Sequence, residues 1–258
     1  MSALSTAWGI VVRDLTRSTR QQSRLFAGLA RPFIWVFLVG AGFNAIARLE
    51  GGISYQAFAY PGGIVMAALF GGMLTAISTV YDREFGMLRL MLSSPSGVLA
   101  VLAGRAASAA VVGVMQGAVV LAFTPLALPV EPMVFLRGAA ALLLVAAASG
   151  TLGLLVAARL TSVENFGGVI NVVLFPLLFL SGALYPTATL PSALRALARV
   201  NPVTYMVDLM RQALGLRGEF PAAVDVAVLL AATALAFGLT ALLFDPEQRF
   251  VRGKSRAR

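Results

Sequence analysis

The sequence predicts an all-α integral membrane protein with six transmembrane helices, and three observations carry that reading. Only 12% of the 258 residues are charged and 59% are hydrophobic, about half the charge of a soluble domain, where roughly a quarter of residues are charged. The charges are also bunched, which leaves uncharged windows at 32–47, 51–81, 106–130, 138–158, 165–194 and 226–244. Each of the last five supplies the roughly 20 apolar residues that a membrane-crossing helix needs. Finally, if the N-terminus lies in the cytoplasm, fourteen of the twenty Lys and Arg residues fall on the inner side. Positive charge concentrates on the cytoplasmic side of a membrane protein, so both termini are expected inside, in the cytoplasmic (inner) membrane.

Residues 1–24 read as an amphipathic helix lying in the inner interface. Leu4, Ala7, Trp8, Val11, Val12 and Leu15 share one face, and Arg13, Arg17, Arg20 and Arg24 the other. Trp8, Arg13 and Arg17 serve either to anchor this helix on the membrane or to dock a partner. These arginines precede any long apolar run, so no cleaved signal peptide is expected.

The first span, 25–47, extends its 16-residue window back past Arg31, whose long side chain can snorkel to the headgroups. The second, 60–80, opens at Tyr60-Pro61-Gly62-Gly63 and contains Gly71-Gly72; such small residues let helices approach closely. Along it Met66, Phe70 and Met73 form an adaptable apolar surface, read either as core packing or as part of a substrate path. The third span, 106–128, carries Gly113 and Gly117 in a small-xxx-small arrangement and ends at Pro125 and Pro129, and the fourth is 138–158.

Pro176 interrupts the fifth span, 166–185, removing one backbone donor and permitting a kink, which makes it a candidate gate. Asn171, Phe175 and Phe179 on this span complete the candidate substrate path. Residues 186–223 form outer helices. Asn201 can cap the second of these, with Pro202 in its first turn and Gly215 at its end. Its apolar stripe, Tyr205, Met206, Leu209, Met210 and Ala213, is expected to pack on the spans or dip into the outer leaflet. The last span, 225–244, leads to a basic tail, 245–258, and the whole chain, 1–258, reads as one membrane domain.

Much chemistry is excluded by inventory. The chain has no His and no Cys, which removes the commonest general base, thiolate metal sites and disulfides. Lys254 is the one lysine, and a phosphate loop ending in Gly253-Lys254-Ser255 would need glycine where Gln248 stands. No cofactor is expected on this chain. The central windows hold no ionisable group, as an ion-coupled carrier usually would, so energy for transport is expected from a partner. No basic stretch interleaves aromatic residues, and nucleic acid is not an expected partner; anionic membrane lipid is.

Between the second and third spans, "YDREFGMLRLMLSSPSGVLAVLAGRAAS" starts at Tyr81 and resembles the cytoplasmic connection of ABC-2 type transporter permeases. In that connection an acidic-Arg-Glu and Gly group precedes a Leu-rich stretch, a Ser-Pro and a further basic residue. "LSGALYPTATLPSALRALARVNPVTYMVDLMRQAL", starting at Leu180, is similar to the same family's fifth-span exit, outer re-entrant helices and Asn-Pro-x-x-Tyr segment, as in drug-export and nodulation-type permeases. Asp82 departs from the family's more frequent Glu.

The resemblance implies a homodimer, or a pair with a sibling permease, and two cytoplasmic ATPase subunits that bind ATP and Mg. It also implies outward movement of a hydrophobic or amphipathic substrate, with export of a lipid-linked glycan as the alternative. Residues 82–95 would then be a coupling helix acting through Asp82, Arg83, Glu84, Gly86, Leu88, Leu92 and Pro95. Asp82 and Glu84 would start this helix, since acidic groups suit a helix N-terminus, and Arg83 would face the ATPase. A capping and topology signal alone is the competing reading of the same residues. A non-transporting membrane scaffold is the alternative from another class.

Overall fold

The computed structural model describes residues 3–20, 22–44, 53–87, 97–128, 131–160 and 162–244, and among these every regular element is helical. In chain order the helices are α1 (Ala3–Arg20), α2 (Gln22–Phe33), a π-helical segment (Ile34–Val39), α3 (Gly40–Asn44), α4 (Tyr55–Glu84), α5 (Gly97–Ala122), α6 (Pro132–Arg159), α7 (Val163–Phe179), α8 (Ser192–Val200), α9 (Pro202–Ala213) and α10 (Ala222–Leu243). Among the described residues four helical runs are long and apolar enough to cross a membrane: Tyr55–Glu84, Gly97–Leu126 (α5 with the turn that follows it), Pro132–Arg159 and Ala222–Leu243. The predicted first span coincides with a shorter apolar helical run, Gly28–Asn44. The predicted fifth span is the 17-residue α7, which stops at Phe179 rather than at 185. It stops there because Ser181 turns back to donate its hydroxyl to the Leu178 carbonyl and Gly182 adopts φ +79, a conformation that favours glycine.

α4 is the central element. It is apolar on all sides, and its hydrophobic window is almost wholly buried, as expected of a helix with no polar face. Its start is fixed by Ser54, whose side chain accepts the Ala57 N–H at 3.1 Å. Deep in the core the Tyr60 hydroxyl donates to the Val120 carbonyl of α5 at 2.6 Å. α4, α5 and α6 meet backbone to backbone through glycine. A Cβ on Gly71 would lie 3.0 Å from Gly113 Cα, and one on Gly150 would lie 2.9 Å from the Ala110 nitrogen. Gly72 faces Gly150 in the same way, at 3.1 Å. Close approach of this kind gives van der Waals packing where lipid offers no hydrophobic drive between helices.

α10 lies at the periphery and leaves Leu230, Leu235 and Leu242 exposed, a surface suited to lipid. α9 is packed inward: Val203, Met206, Val207 and Met210 are all fully buried. It begins with Asn201, whose side chain accepts the Val203 N–H at 3.0 Å while its amide donates to the Leu177 carbonyl of α7 at 2.7 Å. One residue therefore caps α9 and ties it to the end of α7. α1 packs along α5, where a Cβ on Gly104 would sit 2.9 Å from Ala7 Cα. Ile10, Val11 and Asp14 of α1 are buried, whereas Leu4, Trp8 and Val12 remain exposed.

Candidate functional site

Helix α1 and the C-terminal end of α4 converge on one charged joint. Arg105, near the start of α5, is almost completely buried, and a guanidinium at such a position must be compensated or the fold loses several kcal/mol. Its Nη1 donates to Asp14 Oδ2 at 3.1 Å and to Ser78 Oγ at 3.0 Å, and its Nη2 donates to Asp82 Oδ2. Ser108 adds a hydroxyl to Asp14 at 3.2 Å. Arg13 completes the set, donating to Asp82 Oδ2 at 2.6 Å and to Asp14 Oδ1 at 3.1 Å. Two cations and two carboxylates thus balance within one hydrogen-bonded network spanning α1, α4 and α5. Burial works against the Arg13 charge, but the hydrogen bond and charge of Asp82, with Asp14 beside it, hold its pKa above the ordinary value.

The next two residues reach two further helices. Arg83 Nη1 donates to the carbonyls of Ala158 at 2.9 Å and Leu160 at 2.8 Å, and its guanidinium lies 5.0 Å from the Phe244 ring centre. It therefore caps the C-terminus of α6, where free carbonyls and the helix dipole favour a cation. Glu84 Oε2 accepts the Val163 N–H, 3.1 Å away, at the first residue of α7, the end at which a carboxylate is favoured. Successive helical residues point about 100° apart, so three neighbours in sequence contact three different parts of the bundle. Gly86, at φ +75, then turns the chain out of α4.

This geometry differs from the expectation that Asp82 and Glu84 open a coupling helix and that Arg83 faces outward. All three occupy the last turn of α4. The carboxylates sit at the unfavourable end of α4's own dipole, and the partners that offset this are Arg13, Arg105 and the N-terminus of α7. Leu88, Leu92 and Pro95 lie outside the described residues. On α1, Arg13 and Arg17 turn toward α4, Arg17 lying 5.2 Å over the Tyr81 ring, while Trp8 stays exposed.

The predicted substrate path separates into two groups that do not share a surface. Met66, Phe70 and Met73 are buried in the core, with the Arg31 guanidinium 4.7 Å from the Phe70 ring centre. Asn171, Phe175 and Phe179 are exposed along α7, as is Pro176 within it, and the two phenyl rings lie 6.4 Å apart.

Arg105, Asp14, Ser78 and Ser108 were not singled out from sequence as site residues. A signal existed for Asp14, which is the one acidic residue among the first 49, amid arginines.

A family model described as "ABC-2 type transporter" matches residues 6–214. Nodulation protein J of Rhizobium leguminosarum bv. trifolii is 31% identical over 195 residues, covering 72% of each chain. The ycf38 protein of Cyanophora paradoxa, named as a transport permease, is 30% identical over 210 residues, covering 78% of this chain and 71% of its own. Nodulation protein J of Rhizobium meliloti is 28% identical over 195 residues, covering 72% of each.

Proposed function

The chain belongs to the ABC-2 type transporter family, and from that premise we propose that it is the membrane-spanning permease subunit of an ATP-driven exporter for a hydrophobic or amphipathic molecule. Six spans, both termini in the cytoplasm and a second permease copy complete the unit, with two separate ATPase subunits binding ATP and Mg. The observation that supports the reading best is the joint at Asp82, Arg83 and Glu84. It ties the interfacial helix, the third span, the end of the fourth and the start of the fifth to one turn of α4. A push delivered to residues 88–95 or to α1 would reach all of these helices together. The missing glycine at Gln248 agrees with ATP binding on a separate subunit.

A second reading, export of a lipid-linked glycan, is favoured by one feature. Phe175 and Phe179 are adjacent and exposed, and faces of this kind stack against sugar rings. Copurification of the chain with a cytoplasmic ATPase, followed by mass spectrometry of the molecule it retains, tests both. An amphipathic small molecule supports the first reading and a glycolipid the second. Failure to copurify with any ATPase would leave a scaffold in their place.

A further inference from the structure

Opposite the joint, the loop joining α9 to α10 overlies the first turn of α4 and bounds an open pocket of about 220 Å3. Its lining pairs the apolar side chains of Phe58 and Leu216 with the charged ones of Arg211, Arg217 and Glu219. The pocket is built into the fold. Gly215, at φ +80, turns the chain out of α9, and buried Asp208 holds the loop by accepting the Glu219 and Phe220 N–H groups at 2.8 and 2.9 Å. Gly218 leaves room for Gln212, which a Cβ there would meet at 2.5 Å.

The charges that face this pocket are unevenly compensated. Arg211 is buried, its guanidinium lies 4.5 Å from the Phe58 ring centre, and its Nη2 donates to the Gly182 carbonyl at 2.8 Å. The carboxylate paired with it, Asp208, is 3.8 Å away and already engaged by the loop, and Arg211 Nε has no hydrogen-bond partner. A buried cation so placed keeps part of its desolvation cost uncompensated. Burial lowers its pKa, against the opposing charges of Asp208 and Glu219. Arg217 is exposed, and Glu219 is engaged by the Thr187 hydroxyl. The pocket thus presents two guanidinium groups beside apolar surface and one carboxylate that already has a donor.

We propose that this pocket binds the anionic head of an amphiphile, a phosphate or carboxylate, with Arg217 and Arg211 receiving the head and Phe58 and Leu216 the adjoining aliphatic part. Guanidinium groups suit such heads because their planar donors pair with two oxygens at once. The head is supplied either by an acidic phospholipid of the surrounding leaflet or by a free amphiphile. The site is independent of the coupling argument, since it lies at the other end of the bundle and requires no ATPase.

Native mass spectrometry of the full chain, released from phosphatidylcholine nanodiscs doped with phosphatidylglycerol or with decyl phosphate, tests the proposal. The wild type is expected to retain one anionic amphiphile per chain in preference to phosphatidylcholine. Arg217→Gln, at an exposed position where the fold should survive, should weaken retention about tenfold or more, the size of one lost charge-assisted hydrogen bond. Retention of phosphatidylglycerol identifies the leaflet as the source, and retention of decyl phosphate alone identifies a free amphiphile. Equal retention of phosphatidylcholine, or retention unchanged by Arg217→Gln, overturns the proposal.

Discussion

Arg13 Nη2 lies 2.6 Å from Asp82 Oδ2, joining residues 69 positions apart and fastening α1 to the end of α4. The bond matters because Asp82 also receives Arg105, so movement of α1 alters the partner of a buried charge. Rearranging such a network costs more than rearranging exposed charges, since buried groups have no water to replace a lost partner.

The two arginines of this network should therefore differ in weight. Arg105→Ala leaves Asp14 and Asp82 buried with only the part-exposed Arg13 to share and should destabilise the protein by about 3–5 kcal/mol. The Arg13 side chain is 35% exposed, so water screens it, and Arg13→Ala should cost about 1 kcal/mol or less. Thermal unfolding of the detergent-purified variants gives the ranking. Equal losses would mean that Arg105 is not the buried centre of the network.

Glycines in the α4, α5 and α6 seam should tolerate no side chain. Gly150→Val places atoms against the α5 backbone, and Gly72→Val against that of α6, an overpacking that costs about 1–3 kcal/mol or more. Gly42→Ala and Gly238→Ala meet nothing within 4 Å. The yield of monodisperse protein should fall for the first pair and hold for the second.

Transport and stability should separate along the two halves of the predicted substrate path. Met73→Ala opens a cavity in the core and should cost about 2–5 kcal/mol. Asn171→Ala and Phe179→Ala, at exposed positions of α7, should leave the melting temperature unchanged and alter transport. Unaltered transport in both would move the path away from this face.

Topology can be read from single cysteines, because the native chain has none. Cysteine at Ser18 should label with an impermeant reagent only from the cytoplasmic side, and cysteine at Ser192 only from outside. Labelling of both from the same side would contradict the inside placement of α1.

The parts of the fold legible in the sequence were those governed by local rules. Asn201-Pro202 announces a helix start and Gly215 a helix end, because capping and positive φ are decided within a few residues. Charge-free runs mark the four long spans for the same reason. The joint was legible only as a motif. The run Asp82-Arg83-Glu84 stood out as charge in an apolar chain, but whether it starts one helix or ends another depends on Arg105 and Val163, distant in sequence. Burial of Met66, Phe70 and Met73 agrees with the core-packing reading of that stripe rather than the substrate-path one, a choice that needed the neighbouring helices, since an apolar stripe looks the same whether it faces a path or a packed helix.

The central claim is that the last turn of α4 passes motion between α1 and the other helices of the bundle. It is tested most directly by the double variant Arg83→Ala, Glu84→Ala, copurified with the ATPase subunit proposed above and reconstituted in liposomes, with assembly, ATP hydrolysis and transport measured on the same preparation. Glu84 is exposed and Arg83 only partly buried, so the complex should insert and assemble as the wild type does. Transport should fall at least tenfold, and ATP hydrolysis should no longer respond to substrate, because the contacts that tie the C-terminus of α6 and the N-terminus of α7 to the last turn of α4 are lost while the helices stay packed. Full transport by the assembled double variant would contradict the account and leave these residues as helix caps alone.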